Sequence, residues 1–241
     1  MIAAVILAAG RSTRLGLPKA VLPAGPGETL LSRAIRVARA SVDGPVIPVL
    51  GGDAGLSLAE LDRLDDPRVA PVVNSRFALG LSTSLQAGLD DAATADGVLV
   101  LLADQPGVET AQASQLVERF RRRAAPIEAV TASMGSEQRP PVVLGHALFG
   151  AVAGLRGDEG ARRILRSRPD QVLRVEWGDG PWAIDLDTWE DYASFAHRQG
   201  WHLEVPPGAT PDSSESPAQN LAQFRRMVLA ALNEGPRRAG A

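Results

Sequence analysis

The sequence of 241 residues contains no cysteine. This absence excludes a disulfide framework, a thiolate nucleophile, and zinc or iron–sulfur sites built on cysteine. The sequence also lacks a strong excess of charge of one sign, because 25 Lys and Arg residues are balanced by 28 Asp and Glu residues, which leaves a formal net charge of −3. This balance argues against a broad electrostatic attraction to nucleic acid or to an anionic membrane surface.

Long hydrophobic runs are missing too, since none approaches the roughly 20 residues that a bilayer-spanning helix needs. Met1 to Ala9 is apolar enough to resemble the core of a signal peptide. However, no basic residue precedes this run, and Gly10-Arg11-Ser12 interrupts it. We therefore interpret it as a buried strand and expect a cytoplasmic protein.

The sequence does contain a regular alternation of short apolar runs and amphipathic segments. The apolar runs predict strands at 2–8, 45–50, 68–73, 97–103, 128–133, 141–144 and 172–176. Apolar residues at helical spacing and intervening polar loops predict helices at 29–40, 58–64, 82–89, 110–123, 148–155, 160–166 and 189–198. This alternation predicts a three-layer α/β fold, in which a mainly parallel twisted sheet carries helices on both faces.

The composition changes near Val205, which predicts a boundary between a domain at 1–203 and an appendage. A Pro- and Ser-rich linker is predicted at 204–217, an amphipathic tail helix at 218–234 and a disordered end at 235–241. The tail helix has three open interpretations: it docks on the domain, it binds a partner, or it remains loose.

The loop after the first predicted strand has the composition of a nucleotide-binding turn. Small residues around Gly10 allow close approach of the backbone to a ligand, and Arg14 and Lys19 supply positive charge for a polyphosphate. Its position at the carboxyl end of a strand is where open α/β sheets bind ligands. The alternative interpretation is a surface turn with two solvated basic side chains.

Two acidic segments are candidates for metal binding. Asp104 follows the most apolar predicted strand, and an oxygen ligand at the end of a strand suits Mg²⁺. Asp185 and Asp187 lie on one side of an extended segment, and Thr188 with Asp191 predicts a helix capping box directly after it. One of these two aspartates is then left as a metal ligand, whereas the alternative for Asp104 is a residue that caps a turn.

Five stretches, taken in order, resemble the MobA-like NTP transferases, the nucleotidyltransferases related to molybdenum cofactor synthesis. The resemblance covers about residues 1–200 and is greatest to the molybdenum cofactor cytidylyltransferase branch. It implies a Rossmann-like fold of the nucleotide-diphospho-sugar transferase type. The stretches are Leu7–Lys19, Asn74–Leu85, Leu102–Pro106, Gly157–Arg162 and Asp185–Thr188. Leu15 and Leu81 stand where methionine is common in the family. Arg139-Pro140-Pro141 departs from the family pattern in a region that the resemblance places near the acceptor, so it concerns the acceptor more than the type of reaction.

The resemblance implies transfer of CMP from CTP to the phosphate of a molybdopterin-type cofactor, with release of pyrophosphate. Ala9 stands where the guanylyl branch has Gly, which favours CTP. Arg14, Lys19 and Asp104 are the implied catalytic residues, and Asp104 and Asp187 would hold Mg²⁺, with Mn²⁺ as an alternative. The implied nucleotide-binding residues are Leu7, Ala8, Ala9, Gly10, Ser12, Asn74, Ser82 and Ser84. Asp158 and Arg162 are implied on the acceptor side or, alternatively, as capping residues of the following helix.

Three other functions stay open at this point. The first keeps the reaction but uses GTP or another phosphorylated acceptor. The second is an oxidoreductase, since some relatives of the family carry that label. The third is a non-catalytic module that binds nucleotide or cofactor and delivers it to a molybdenum hydroxylase, which is also the recipient protein expected for the enzyme.

Overall fold

The structure is a computed structural model that describes residues 1–10, 12, 18–25, 27–52 and 54–201. The predicted linker, tail helix and disordered end, together with Arg14, lie outside the described residues. The described chain forms a sheet of seven strands with helices on both faces, which confirms the predicted α/β class.

The strands follow each other in space in the order β3-β2-β1-β4-β6-β5-β7. All neighbouring pairs are parallel except those that β6 makes with β4 and β5, so β6 alone runs against the others. The strands are β1 Ile2–Ala8, β2 Val46–Leu50, β3 Val72–Val73, β4 Gly97–Leu102, β5 Ala129–Met134, β6 Glu137–Gly145 and β7 Val172–Glu176.

Helices cover the two faces of the sheet through separate apolar cores. The helices are α1 Leu30–Ser41, α2 Ala54–Leu64, α3 Leu81–Asp91, α4 Thr110–Arg121, α5 Phe149–Val152, α6 Ala161–Ser167 and α7 Trp189–Arg198. One core joins the sheet to α1 and α4, for example through Ile35 and Phe120. The other joins the opposite face to α3, α5 and α6, for example through Leu85 and Ile164. The continuous apolar runs of β1 and β4 are explained by this burial on both sides.

Several element boundaries differ from those predicted. The strand predicted at 68–73 is reduced to the two residues of β3, preceded by an isolated bridge between Val46 and Val69. Pro71 has no backbone N–H to donate, which explains the gap. Strand β6 begins at Glu137, four residues before the predicted start at Pro141, because its polar first half carries no apolar signal.

A third apolar cluster attaches α7 to the loop after β1. Leu22, Leu186, Tyr192 and Phe195 belong to this cluster. The Tyr192 hydroxyl donates to the Pro23 carbonyl at 2.7 Å. The predicted capping box begins α7, since the Thr188 side chain accepts from the Asp191 N–H and the Asp191 carboxylate accepts from the Thr188 N–H. These contacts fix the segment that carries Asp187 beside the loop that carries Lys19.

Within the part of the chain that the structure describes, none of the helices has the length and apolar character required to cross a membrane.

The close contact between α3 and the sheet leads to a testable prediction for a substitution at Gly88. A Cβ atom there would lie 2.5 Å from Val5 Cγ1 and 3.0 Å from Val49 Cγ2. We expect Gly88→Ala to lower the free energy of unfolding by about 1–3 kcal/mol, because the helix must move away from β1 and β2. Urea unfolding measures the change.

Gly55→Ala is the matched control, because a Cβ atom at this position of α2 would meet nothing within 4 Å. It should leave stability unchanged or raise it by up to about 1 kcal/mol. Equal losses in both variants would contradict the close packing of α3.

Candidate active site

A first cavity lies at the carboxyl ends of β1 and β4. The chain leaves β1 toward β2 on one side and later returns to β4 on the other, so the strand order reverses between these two strands. Such a reversal is where open α/β sheets bind ligands. The cavity has a volume of about 530 Å³ and is lined by Leu7, Ala8, Gly10, Ser12, Lys19, Ala20, Ala103, Asp104, Asp158 and Asp187.

Most of the residues predicted from the loop after β1 line this cavity. Ser12 has a φ of 46°, in the left-handed region, and its Oγ accepts from the Lys19 backbone N–H at 3.0 Å. This bond links Ser12 to the start of the short 3₁₀ turn Lys19–Val21. Ala9 is buried, and its carbonyl lies so close to Gly51 that a Cβ atom there would come within 2.6 Å of the oxygen.

The Lys19 ammonium joins two carboxylates in the first cavity. Its Nζ lies 3.1 Å from Asp104 Oδ2 and 2.6 Å from Asp187 Oδ1. Lys19 is the only lysine of the whole sequence, whose other basic residues besides histidine are arginines. An ammonium is compact enough to lie between two carboxylates as a point charge, which a planar guanidinium does less readily.

The electrostatics of this group keep Lys19 positively charged. Burial by itself lowers the pKa of Lys19, but the Asp104 and Asp187 carboxylates outweigh burial and raise that pKa above its ordinary value. Burial also raises the pKa of Asp104, and the nearby Lys19 charge opposes this effect. The ionised form of Asp104 therefore depends on a neighbouring cation.

The backbone explains why Asp104 and Asp187 meet, although they are far apart in sequence. Asp104 follows β4 and Ala103, and its carbonyl accepts from the Leu186 N–H at 3.0 Å. Leu186 itself is fully buried in the apolar cluster of α7. Asp185 and Asp187 on either side of Leu186 take different partners: Asp187 bonds to Lys19, whereas Asp185 bonds to Gln105.

The Asp104 and Asp187 carboxylates suit a hard divalent cation only if oxygen atoms of a bound ligand complete its coordination. Carboxylate oxygens from one or two residues, together with phosphate oxygens, are the coordination that Mg²⁺ prefers. Over the described ranges, the side chains form no group of three or more His, Cys, Asp or Glu suited to hold an ion alone. Asp104 and Asp187 are brought together around one positive charge, and their role as metal ligands stays a prediction.

A second cavity of about 500 Å³ adjoins the first, and Leu7 and Asp158 line both. The predicted acceptor residue Arg162 lines the second cavity. Its guanidinium lies 3.7 Å from the Glu137 carboxylate. Asp158 therefore lies at the boundary between the two cavities.

The second cavity also contains a polar network that sequence reasoning missed. The Gln105 Nε2 donates to Asp185 Oδ1 at 2.7 Å, and the Arg139 guanidinium lies 3.4 Å from Asp185 Oδ2. Arg139 also donates to the Ala183 carbonyl. The available signals were the Arg139 departure from the family pattern and the unassigned Asp185, but neither indicates a pairing across 46 residues.

Asn74, directly after β3, and Ser82 and Ser84, in the first turn of α3, are buried. The Asn74 amide donates to Thr83 Oγ1 at 2.9 Å and to Ser84 Oγ at 3.0 Å, and the Ser82 N–H donates to the Gly157 carbonyl at 3.0 Å. The Asn74 bonds hold the loop after β3 against the first turn of α3, and the Ser82 bond holds that turn against the loop that carries Asp158. None of the three lines the two cavities, so their predicted contact with nucleotide stays a prediction.

Residues 4–172 match the model of the MobA-like NTP transferase domain. The chain is 33% identical over 199 residues to the purine catabolism protein PucB of Bacillus subtilis, a match that covers 78% of this chain and 92% of that protein. It is 34% identical over 195 residues to nicotine blue oxidoreductase of Paenarthrobacter nicotinovorans, covering 77% and 92%. A protein of Rhodopirellula baltica named probable molybdenum cofactor guanylyltransferase is 28% identical over 143 residues, covering 58% and 65%.

Solved structures with the same fold include Rv0371c of Mycobacterium tuberculosis, with a TM-score of 0.68 and 29% identity over 81% of this chain and 97% of that one. A manganese complex of Rv0371c gives a TM-score of 0.65 and 28% identity over 81% and 98%. A nucleotidyl transferase of Methanothermobacter thermautotroptrophicus gives a TM-score of 0.68 and 25% identity over 82% and 97%.

The geometry around Lys19 leads to a prediction about how divalent cations stabilise a variant that lacks this ammonium. Lys19→Met removes the ammonium and leaves the Asp104 and Asp187 carboxylates near each other without it. We expect the free energy of unfolding to fall by about 1–3 kcal/mol in the absence of metal. Millimolar Mg²⁺ should raise the Tm of this variant more than that of the unsubstituted protein, because the ion replaces the lost charge.

Arg36→Met is the control, since Arg36 pairs with the carboxylate of Glu28 at 2.6 Å on the protein surface. Its Tm should respond to Mg²⁺ no more than that of the unsubstituted protein. An equal response of the Lys19 and Arg36 variants would argue against a shared cation position between Asp104 and Asp187.

Proposed function

Since this chain belongs to the MobA-like NTP transferase family and is a nucleotidyltransferase, we propose that it transfers CMP from CTP to the phosphate of a molybdopterin-type cofactor. The observation that carries this proposal is the Lys19 ammonium held between Asp104 and Asp187 in a cavity at the topological switch point. The cavity lies beside a second one of similar size, as a reaction between two substrates requires.

The proposed reaction needs positioning and charge more than a protein nucleophile. An oxygen of the acceptor's terminal phosphate attacks the α-phosphorus of CTP, and the bond to the pyrophosphate group breaks. The acceptor phosphate is already anionic, so no strong general base is required. The barrier arises from bringing two polyanions together, and fixed positive charge lowers it.

Lys19 supplies part of this charge. Its pKa is raised, so its ammonium stays protonated at neutral pH and offers a full positive charge to the β- and γ-phosphates of the nucleotide. Arg14 is proposed to act on the same phosphates. A divalent ion held by Asp104 and Asp187 would supply further neutralisation of phosphate charge when bound. We propose Mg²⁺, and the manganese complex of a similar protein supports the use of a divalent ion.

The two cavities are proposed to separate the substrates. The backbone at Leu7, Ala8, Ala9 and Gly10 would contact the base and ribose, with Ser12 nearby. Ala9 favours CTP, because the resemblance associates a glycine there with guanylyl transfer. Asp158 and Arg162 would contact the acceptor in the second cavity. The cytidylylated product would pass to a molybdenum hydroxylase in the cytoplasm.

A second candidate function is supported by one observation, the 34% identity to nicotine blue oxidoreductase. An enzyme of that class would consume NAD(P)H with a suitable oxidised substrate. The carboxylate and lysine arrangement favours phosphate chemistry, so we rank nucleotidyl transfer first. Purified protein that oxidises NAD(P)H but forms no nucleotide conjugate would reverse this ranking.

One experiment tests the proposal as a whole. The purified chain is incubated with each of the four NTPs, molybdenum cofactor and either Mg²⁺ or Mn²⁺, and the products are identified by mass together with released pyrophosphate. We expect the cytidine dinucleotide form of the cofactor from CTP. A guanine dinucleotide product would show that the nucleotide substrate is GTP instead of CTP. CTP binding without turnover under every condition would favour a delivery module.

The proposal also predicts the effect of removing the central charges. Lys19→Ala and Asp104→Ala should each lower kcat/KM by about 10²–10³ while thermal unfolding remains cooperative, because each removes a charge that acts on the reacting phosphates. Arg36→Met should retain the activity of the unsubstituted protein. Retained kcat/KM in folded Asp104→Ala would remove Asp104 from the proposed metal site.

A further inference from the structure

Two buried glutamines of the second cavity leave amide atoms without partners. Gln105 and Gln138 are 5% and 6% exposed, and both line this cavity. Among the described residues, Gln105 Oε1 and both amide atoms of Gln138 are buried and form no hydrogen bond. Buried polar atoms in native proteins are nearly always paired, so three unpaired atoms at one cavity require an explanation.

Local backbone structure explains why Gln138 is at this position. The pairing of β5 with β6 shifts between Thr131 and Ala132, because Thr131 lies opposite Val142 whereas Ala132 lies opposite Arg139. The residues skipped on β6 are Pro140 and Pro141, which have no N–H to donate to the ladder. Bulges of this kind redirect side chains and are frequent near active sites.

Gln105 is held in one orientation by its neighbours. Its Nε2 donates to Asp185 Oδ1 at 2.7 Å, and Asp185 also lies 3.4 Å from the Arg139 guanidinium. The amide nitrogen must point to the carboxylate, because an amide oxygen there would repel it. The remaining Gln105 Oε1 is an acceptor that needs a donor from elsewhere.

The three unpaired atoms therefore define the ligand that would satisfy them. Gln105 Oε1 and Gln138 Oε1 require two N–H donors, and Gln138 Nε2 requires an acceptor. Leu81, Leu85 and Val142 supply apolar walls of the same cavity, which suit the faces of a flat ring. The complementary group is a planar heterocycle whose edge carries an amino group, a ring N–H and a carbonyl in succession.

We propose that Gln105 and Gln138 are specificity-determining residues that recognise a 2-amino-4-oxopyrimidine edge in the second cavity. The amide of Gln138 turns into the cavity when the ring enters, which relieves the unpaired state. The inference rests on the proposed function only in assigning the second cavity to the acceptor. Two kinds of compound contain this edge, the pterins and guanine nucleosides, and the shared chemistry is what the two side chains would recognise.

Binding of small probe compounds, measured without any nucleoside triphosphate or metal, tests the inference separately from catalysis. The probes are hydroxymethylpterin and guanosine, titrated calorimetrically into the full chain, with CTP binding in the presence of Mg²⁺ measured independently. We expect hydroxymethylpterin to bind the unsubstituted protein, and Gln138→Leu to weaken that binding about tenfold or more. CTP affinity should be unchanged in this variant.

Thermal unfolding supplies a second readout. If Gln138 had only a structural role, its replacement would lower the Tm rather than raise it. Replacing an unpaired buried amide by an apolar side chain of similar shape should raise the Tm by about 2–4 °C. Gln138→Met serves as the second variant if Gln138→Leu does not fold. Gln115→Leu is the matched control on the surface of α4, where the Gln115 amide oxygen accepts from Trp177 Nε1 at 2.8 Å. It should leave the affinity for the probe unchanged and should not raise the Tm.

The possible outcomes separate clearly. Weaker probe binding with a raised Tm supports the inference, and a guanosine response in place of a pterin response assigns the edge to a guanine ligand. No probe binding to the unsubstituted protein, unchanged probe binding in both Gln138 variants, or a lowered Tm with loss of CTP binding overturns it. Failure of the proposed function is a different result: the probe binds and depends on Gln138, but no nucleotide is transferred.

Discussion

The ion pairs between Lys19 and two aspartates are the interaction on which the arrangement of the site depends. They connect the start of the chain with residues 85 and 168 positions away, so one ammonium joins the loop after β1, the end of β4 and the segment before α7. The apolar cluster around Leu186 and Tyr192 holds these parts close enough for the pairs to form. Burial alone would lower the pKa of the Lys19 ammonium, and the two ionised aspartates would repel each other without it, so each group depends on the others.

Much of the fold was accessible from the sequence because its signals are local. The run Ile2–Ala8 is apolar throughout, and the predicted and observed bounds of β1 agree. Thr188 and Asp191 specify the start of α7 through contacts three residues apart, and the predicted capping box is present. The strand predicted at 68–73 was too long, since an apolar pattern does not reveal how a single proline interrupts pairing.

The residues of the candidate site likewise divide into those with a local sequence signal and those without one. Lys19, Asp104 and Asp187 each belong to a short motif with its own signal. They could therefore be predicted as site residues from the sequence alone, before the structure showed that they contact each other. Gln138 has no such signal, and Arg139 stands out only as a departure from the family pattern, which gives no partner. The placement of both depends on a change of register between two strands. The bonds from Asn74 to Thr83 and Ser84 could not be predicted either, since they depend on how a loop turns back on the first turn of α3.

The single lysine has a practical consequence for the study of this protein. Reagents that acylate or reductively alkylate side-chain amines have one target in the sequence, and it lies in the first cavity. A fluorophore, an isotope or an affinity group can therefore be attached to one side-chain amine at the candidate active site, and the α-amine of Met1, which the same reagents modify, is distinguished by peptide mapping. The rate of its attachment reports how accessible this one amine is, and hence whether a phosphate-bearing ligand occupies the space in front of it.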